Sequence, residues 1–313
     1  MSLSGVRTDN YWRMTVVVAA VIWSTTGIVQ RMLTVDLATQ LAGRATVAAL
    51  GLALFIAVTQ RGRASTAWRS MGCGGFIVSA CIATNSVCFI AAFNYESVGR
   101  ATFIATLGLM LAAVIAWLAF RDPIDGVAAC ALAIAALGAT LMFGAPGAVQ
   151  PLGDMFAIIA AVAWAVGIVV ARHNRSVSML PATCLAQVVV AAAAFPFAHP
   201  MQITVADGGY LSLGGLQVAV GLGLVTAGAR RLPAVQVATL SILEAPLAPL
   251  WVWWAMGERP DPATLVGGVV IILAAGVQAT RGSLLPVSGV PVLAPGASEP
   301  TGATCVALND EVR

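Results

Sequence analysis

Long apolar stretches alternate with short polar ones along the whole chain. Apolar runs bounded by charged residues, Gly and Pro fall at about 14–34, 38–59, 72–94, 99–119 and 126–144. Five more follow at about 153–171, 180–198, 212–229, 236–256 and 263–280. Each run is close to the roughly 20 residues that a helix needs to cross about 30 Å of hydrocarbon. The pattern therefore predicts an all-α integral membrane protein with ten transmembrane helices. After Gly282 the prolines Pro286, Pro291, Pro295 and Pro300 punctuate a stretch with no apolar periodicity. Too little apolar surface is available there to offset the entropy of ordering, so 282–313 is expected to be a disordered cytoplasmic tail.

The two sets of five runs resemble each other. A shift of 136 residues lays Leu107, Leu111, Trp117 and Asp125 over Leu243, Leu247, Trp253 and Asp261, and Asp122 over Glu258. Matching leucines mean little in so apolar a chain, but the Trp and the acids recur at the end of the fourth run and in the turn after it. Trp23 with Gly27 answers to Trp164 with Gly167 once a single residue is inserted. The expected units are 14–144 and 153–281. Because five spans is an odd number, the second copy must enter the bilayer from the opposite side. Two inverted five-helix repeats are the expected architecture, and in secondary transporters such repeats enclose a site near the midplane.

Composition sharpens this reading. The chain is 59% hydrophobic and 9% charged with a mean hydropathy of +0.92, against roughly a quarter charged in soluble domains. All 16 basic residues are Arg, which with the abundant Ala, Gly and Val suggests GC-rich bacterial coding and an inner-membrane location. With a cytoplasmic N-terminus, Arg7, Arg13, Arg61, Arg63, Arg69, Arg121, Arg172, Arg175, Arg230, Arg231 and Arg281 lie inside and only Arg31, Arg100 and Arg259 outside. That excess is what positive-inside topology requires, and it puts both termini in the cytoplasm. Arg7 and Arg13 before an apolar run imitate a signal peptide, but no small-residue cleavage pattern follows, so the first run is expected to be retained. The net charge of +3 is scattered, without the basic face that nucleic acid would need. Six cysteines without CxxC spacing and two histidines offer no metal set, and neither metal nor cofactor is expected.

Within the runs, a few side chains stand out. Glu244 lies about eight residues into the ninth run, roughly 12 Å from its edge at 1.5 Å per residue. Buried acids in membranes usually face a cavity or a partner. Glu244 is therefore a candidate for proton coupling or substrate contact, against a plain packing role beside Pro246. Arg44, near the outer end of the second run, could snorkel to the interface, contact an anionic substrate, or pair with Glu244 if the helices tilt. Trp23 and Trp164 sit nearer mid-span than the interfacial belt and are candidates for a cavity wall. Asn85, Thr106 and Gln217 join them as candidate lining residues, although Ser, Thr, Asn and Gln also serve as ordinary interhelical glue. Further polar residues of this kind include Ser24, Thr25, Thr26, Gln30, Ser86, Thr102, Gln187 and Ser241. Trp251, Trp253 and Trp254 approach a helix end and are assigned to the aromatic belt.

Catalysis by an integral membrane enzyme would need a nucleophile with its base, a metal set or paired acids. No Gly-x-Ser-x-Gly, His-Glu-x-x-His or phosphate-binding loop is present, so an enzyme is the lesser alternative, along with a non-transporting membrane scaffold.

The second half also resembles a known family. Residues 229–276 carry an Arg-Leu-Pro turn at Arg231 to Pro233, Leu-Glu-x-Pro from Leu243 to Pro246, Gly-Glu-Arg from Gly257 to Arg259, and the pair Gly267-Gly268. These, with Trp23, Arg44 and Ser97-Val98 in the first half, are similar to EamA-type permeases of the drug/metabolite transporter superfamily. Where the family has Gly-Glu, the first half has Arg121-Asp122. The resemblance implies ten helices around a central cavity and secondary transport of a small metabolite or drug-like solute. It leaves open the substrate, the direction, the coupling ion, and whether the protein is a monomer or a homodimer.

Overall fold

The computed structural model describes residues 3–59, 68–95, 98–120, 126–143, 151–174, 179–229, 231–232 and 234–257, with short helical stretches up to residue 273. The expected tail, 282–313, and the Arg121-Asp122 turn lie outside the described residues. Most of the described residues are helical, with no strand among them. In chain order the helices are α1 (Leu3–Ser24), α2 (Thr26–Met32), α3 (Leu37–Thr59), α4 (Gly72–Tyr95), α5 (Val98–Phe120) and α6 (Gly126–Phe143). There follow α7 (Pro151–His173), α8 (Leu180–Ala194), two 3-10 turns (Phe195–Phe197 and Pro200–Gln202), α9 (Val205–Ala229), α10 (Ala234–Ser241) and α11 (Glu244–Met256).

Among the described residues six stretches are long and apolar enough to cross a membrane: Asn10–Met32, Leu37–Thr59, Gly72–Tyr95, Pro151–Ala171, Leu180–Phe197 and Val205–Gly228. The molecule differs from a soluble protein in its apolar exterior. Leu54 is 67% exposed and Trp254 82%, while Gln40 and Arg44 are 3% and 4% exposed. The interior is itself mostly apolar, with a minority of polar side chains buried in it. An exterior this apolar on helices of spanning length is stable only where the surroundings are hydrocarbon, so the chain is a multi-pass membrane protein.

Two of the expected spans are interrupted, each for a local reason. At Thr25 the hydroxyls of Ser24 and Thr25 donate to the carbonyls of Val21 and Ile22, both at 2.7 Å. The Thr25 amide also donates to Ile22 O, at 3.3 Å. Such bonds three residues back compete with the α-helical ladder and separate α1 from α2. In the ninth run, Pro246 has no N–H to give to Ile242 O. The Ala245 amide takes that carbonyl instead, at 3.0 Å, and the chain turns at Ile242 and Leu243 before α11 begins at Glu244. At the far end of α11, Gly257 adopts φ 74° while its amide bonds Trp253 O at 2.8 Å. This left-handed cap favours glycine.

Two further helix starts are built from carboxylates. Asp36 caps α3 through the amides of Ala38 and Thr39 and takes the Thr39 hydroxyl at 2.6 Å. Burial works to raise the Asp36 pKa, but the Thr39 hydrogen bonds and nearby His199 outweigh it and hold this carboxyl below its usual range. Thr204 and Asp207 form a reciprocal capping box: the Asp207 amide donates to Thr204 Oγ1 at 3.1 Å, and the Thr204 hydroxyl donates to Asp207 at 2.6 Å. This box starts α9 seven residues before the apolar run that announced it.

The helices before residue 144 interlock with those after 151. α4 packs on α7 and α8, α5 on α7, α3 on α8 and α9, and α1 on α9, whereas α3 with α4 and α4 with α5 meet much less. Glycines permit the close crossings. A Cβ on Gly108 of α5 would fall 2.8 Å from the Ala161 Cα of α7, and one on Gly51 of α3 would fall 2.9 Å from the Ala219 side chain of α9.

Candidate functional site

A cavity of about 130 Å³ lies among these crossings, room for on the order of ten water molecules. Its wall draws on both halves. α1 brings Trp23, α3 brings Arg44, and α4 brings Asn85, Ser86 and Phe89; α7 contributes Trp164, α8 Gln187, α10 Ser241, and α11 Glu244 at its first residue.

The polar groups are held in defined orientations. Asn85 Nδ2 donates to Ala160 O at 3.0 Å, and Gln187 Nε2 to Ser86 Oγ at 3.2 Å. Trp23 and Trp164 meet edge to face, with ring centroids 5.6 Å apart and planes at 76°, a favoured aromatic geometry. Arg44 Nη1 donates to Gln30 Oε1 at 3.1 Å. Among the described residues no carboxylate lies within 4.0 Å of that guanidinium, so Arg44 and Glu244 share the cavity without forming a contact ion pair.

Five of the seven side chains singled out from the sequence therefore meet in one place: Glu244, Arg44, Trp23, Asn85 and Trp164. Gln217 does not join them. It is buried in α9, where its Nε2 donates to Thr25 Oγ1 at 2.6 Å while its Oε1 has no protein partner. The Thr106 side chain lies outside the described residues. Trp251 leaves the aromatic belt proposed for it, because its indole N–H donates to Ser24 Oγ at 2.8 Å and ties α11 to α1. Trp253 and Trp254 stay on the outside.

Gln187 and Asp207 carry more than their sequence positions suggested. Gln187 reads as helix glue, yet it faces the cavity. Asp207, which precedes the apolar run at 212–229, is 1% exposed and accepts from both the Thr34 amide and the Thr34 hydroxyl. The spacing Thr204-x-x-Asp207 was the available signal. Among the described residues no group of His, Cys, Asp and Glu side chains could hold a metal ion.

A helical bundle with an apolar exterior around a partly polar cavity defines an integral membrane protein with an internal chamber. Comparison with known proteins makes this specific. The EamA-like transporter family matches residues 10–144 and again 151–278, and the chain belongs to that family. A solved crystal structure is similar with a TM-score of 0.72 and 16% identity, over 86% of this chain and 97% of that one, a likeness in fold. No curated protein matches. The family places the chain among membrane transporters of the drug/metabolite type.

Proposed function

We propose that the protein is a secondary transporter that moves a small metabolite or drug-like solute across the inner membrane by opening the central cavity to each side in turn, with Glu244 carrying a coupled proton. The observation that carries this reading is the position of Glu244. It begins α11 directly after a helix interruption and faces a chamber walled by both halves. Interrupted helices beside a central chamber are a recurring way for transporters to present polar groups at mid-membrane.

The reciprocal packing supports ten spans in two inverted repeats. If α1–α2, α3, α4 and α5 correspond to α7, α8, α9 and α10–α11, exchanging the halves turns α4 on α7 into α9 on α1. It likewise turns α4 on α8 into α9 on α3, and both members of each pair exist. A two-fold relation gives this exchange, and an odd number of spans per half makes it an inverted one. The repeats proposed are 14–144 and 153–281, with both termini cytoplasmic. A site of this kind needs no catalytic set, and transport without chemistry is the proposed activity.

Flux in proteoliposomes tests the reading. Glu244→Gln keeps the shape and hydrogen-bonding capacity but cannot exchange a proton. Its pH-dependent flux should collapse between about pH 5.5 and 8 in normally inserted protein, while Glu244→Asp should retain part of it. Unchanged flux in Glu244→Gln across that range would end the proton-carrying role.

A further inference from the structure

Arg44 does not stand in the cavity wall alone. Its Nη1 donates to Gln30 Oε1, and Gln30 Nε2 in turn donates to Gln40 Oε1. Gln40 Nε2 then donates to Val35 O at 2.8 Å, and Asn94 Nδ2 adds a second bond to Gln40 Oε1 at 3.1 Å. A guanidinium can only donate, so its bond fixes which end of Gln30 faces it. Gln30 fixes Gln40, and Gln40 must turn its own N–H to the backbone. Gln30, Gln40 and Arg44 are 6%, 3% and 4% exposed, so the chain of bonds runs through the interior. On its other side Arg44 rests against α9, where a Cβ on Gly214 would fall 3.0 Å from both Cζ and Nε.

The partner's chemistry is informative. A buried guanidinium needs compensation, and a carboxylate beside it would supply that and cancel its charge. Gln30 supplies an acceptor and cancels nothing. Among the described residues no acid of the chain lies within 4.0 Å of Arg44, including Glu244 of the same cavity. The guanidinium is thus held in place with its charge intact, facing a chamber with room for a small organic molecule. Carboxylates and phosphates are both received by such a fork with two parallel bonds. Arg44 is the single cation among the lining residues, and Trp23, Phe89 and Trp164 surround it with apolar surface, which suits the single charge and organic body of a carboxylate.

We propose that Gln30, braced by Gln40, is a positioning residue that presents Arg44 as the receptor for a carboxylate group on the transported solute. This rests on the transport reading above and names the solute's chemistry. Binding is measured by calorimetric titration of the full chain in lipid nanodiscs at neutral pH, without any flux. The probes are acetate, benzoate and indole-3-acetate, each against its own amide. In the wild type at least one carboxylate should bind about tenfold or more tightly than its amide, and Arg44→Met should abolish that preference. Gln30→Leu should lower the ratio to about threefold or less while amide binding persists, which also reports that the variant is folded. Gln30→Glu keeps an acceptor against Arg44 but cancels its charge, and should bring the ratio close to one. A wild type that prefers no carboxylate overturns the proposal, as does a ratio that neither Gln30 variant lowers. A preference retained by protein that moves no solute would sink the transport reading alone.

Discussion

Single side chains in this molecule are placed by the absence of others. Gly221 of α9 lies so close to the indole of Trp23 that a Cβ there would overlap Nε1 and come within 2.7 Å of Cδ1. A ring cannot step aside as a flexible side-chain tip can, so Gly221→Ala should tilt Trp23 out of its edge-to-face contact with Trp164. The expected cost is about 1–3 kcal/mol, typical of overpacking, read as a lower melting temperature in detergent. A red-shifted tryptophan emission should accompany it. An unchanged melt and spectrum would show that the indole is not wedged. The sequence made Trp23, Trp164, Arg44, Asn85 and Glu244 legible because each is unusual for its depth in an apolar run. Gln217 passed the same filter but satisfies Thr25 instead, and Gln187 looked ordinary because nothing in its run says which face turns inward. Depth can be counted along a chain, whereas orientation depends on neighbours distant in sequence.

The apolar runs located the helices but not their interruptions. Ser24 and Thr25 bend their own backbone through hydroxyl bonds, which apolar counting treats as unremarkable small residues. The ninth run contains a visible cause in Pro246, but the consequence, a turn that sets Glu244 at the head of a new helix, needs the hydrogen-bond pattern. Pro246→Ala returns an N–H that Ile242 O can accept, and should join α10 to α11 as one helix. Pro246 lies in the first turn of α11, where proline is tolerated, so the melting temperature should shift by less than the roughly 3 kcal/mol that proline costs in a helix interior would imply. Amide exchange across residues 242–246 should slow, and if the interruption is the moving part, flux should slow with it. Exchange as fast as in the wild type would mean that the turn is held by packing and not by the missing N–H.

At the scale of the whole molecule, membership of the membrane class followed from composition, because a chain 59% hydrophobic and 9% charged has no soluble solution. The pairing of helices across the halves did not, since no local pattern records which span touches which. The expected orientation rests on the arginines, of which the ten-span assignment would put eleven on one side against three on the other. Reporter domains fused after Arg281 and within 60–71 should read as cytoplasmic, and one within 199–211 as external. An external signal after Arg281 would remove the even-span topology and the inverted repeat with it.

The chain of bonds through Gln30, Gln40, Val35 and Arg44 has a meaning for the order in which the protein is made. All four residues belong to α2, α3 and the short connection between them. As these segments leave the ribosome, their most costly polar groups can satisfy one another before any later helix exists. If this helical hairpin forms first, the guanidinium enters the lipid already partnered, which lowers the cost of placing a charge there. α9, with the glycines that seat Arg44 and Trp23, is synthesised only after α8, and Glu244 later still. In chain order the acid comes after most of the residues that line the chamber, so in synthesis the two opposite charges of the cavity need not be inserted together.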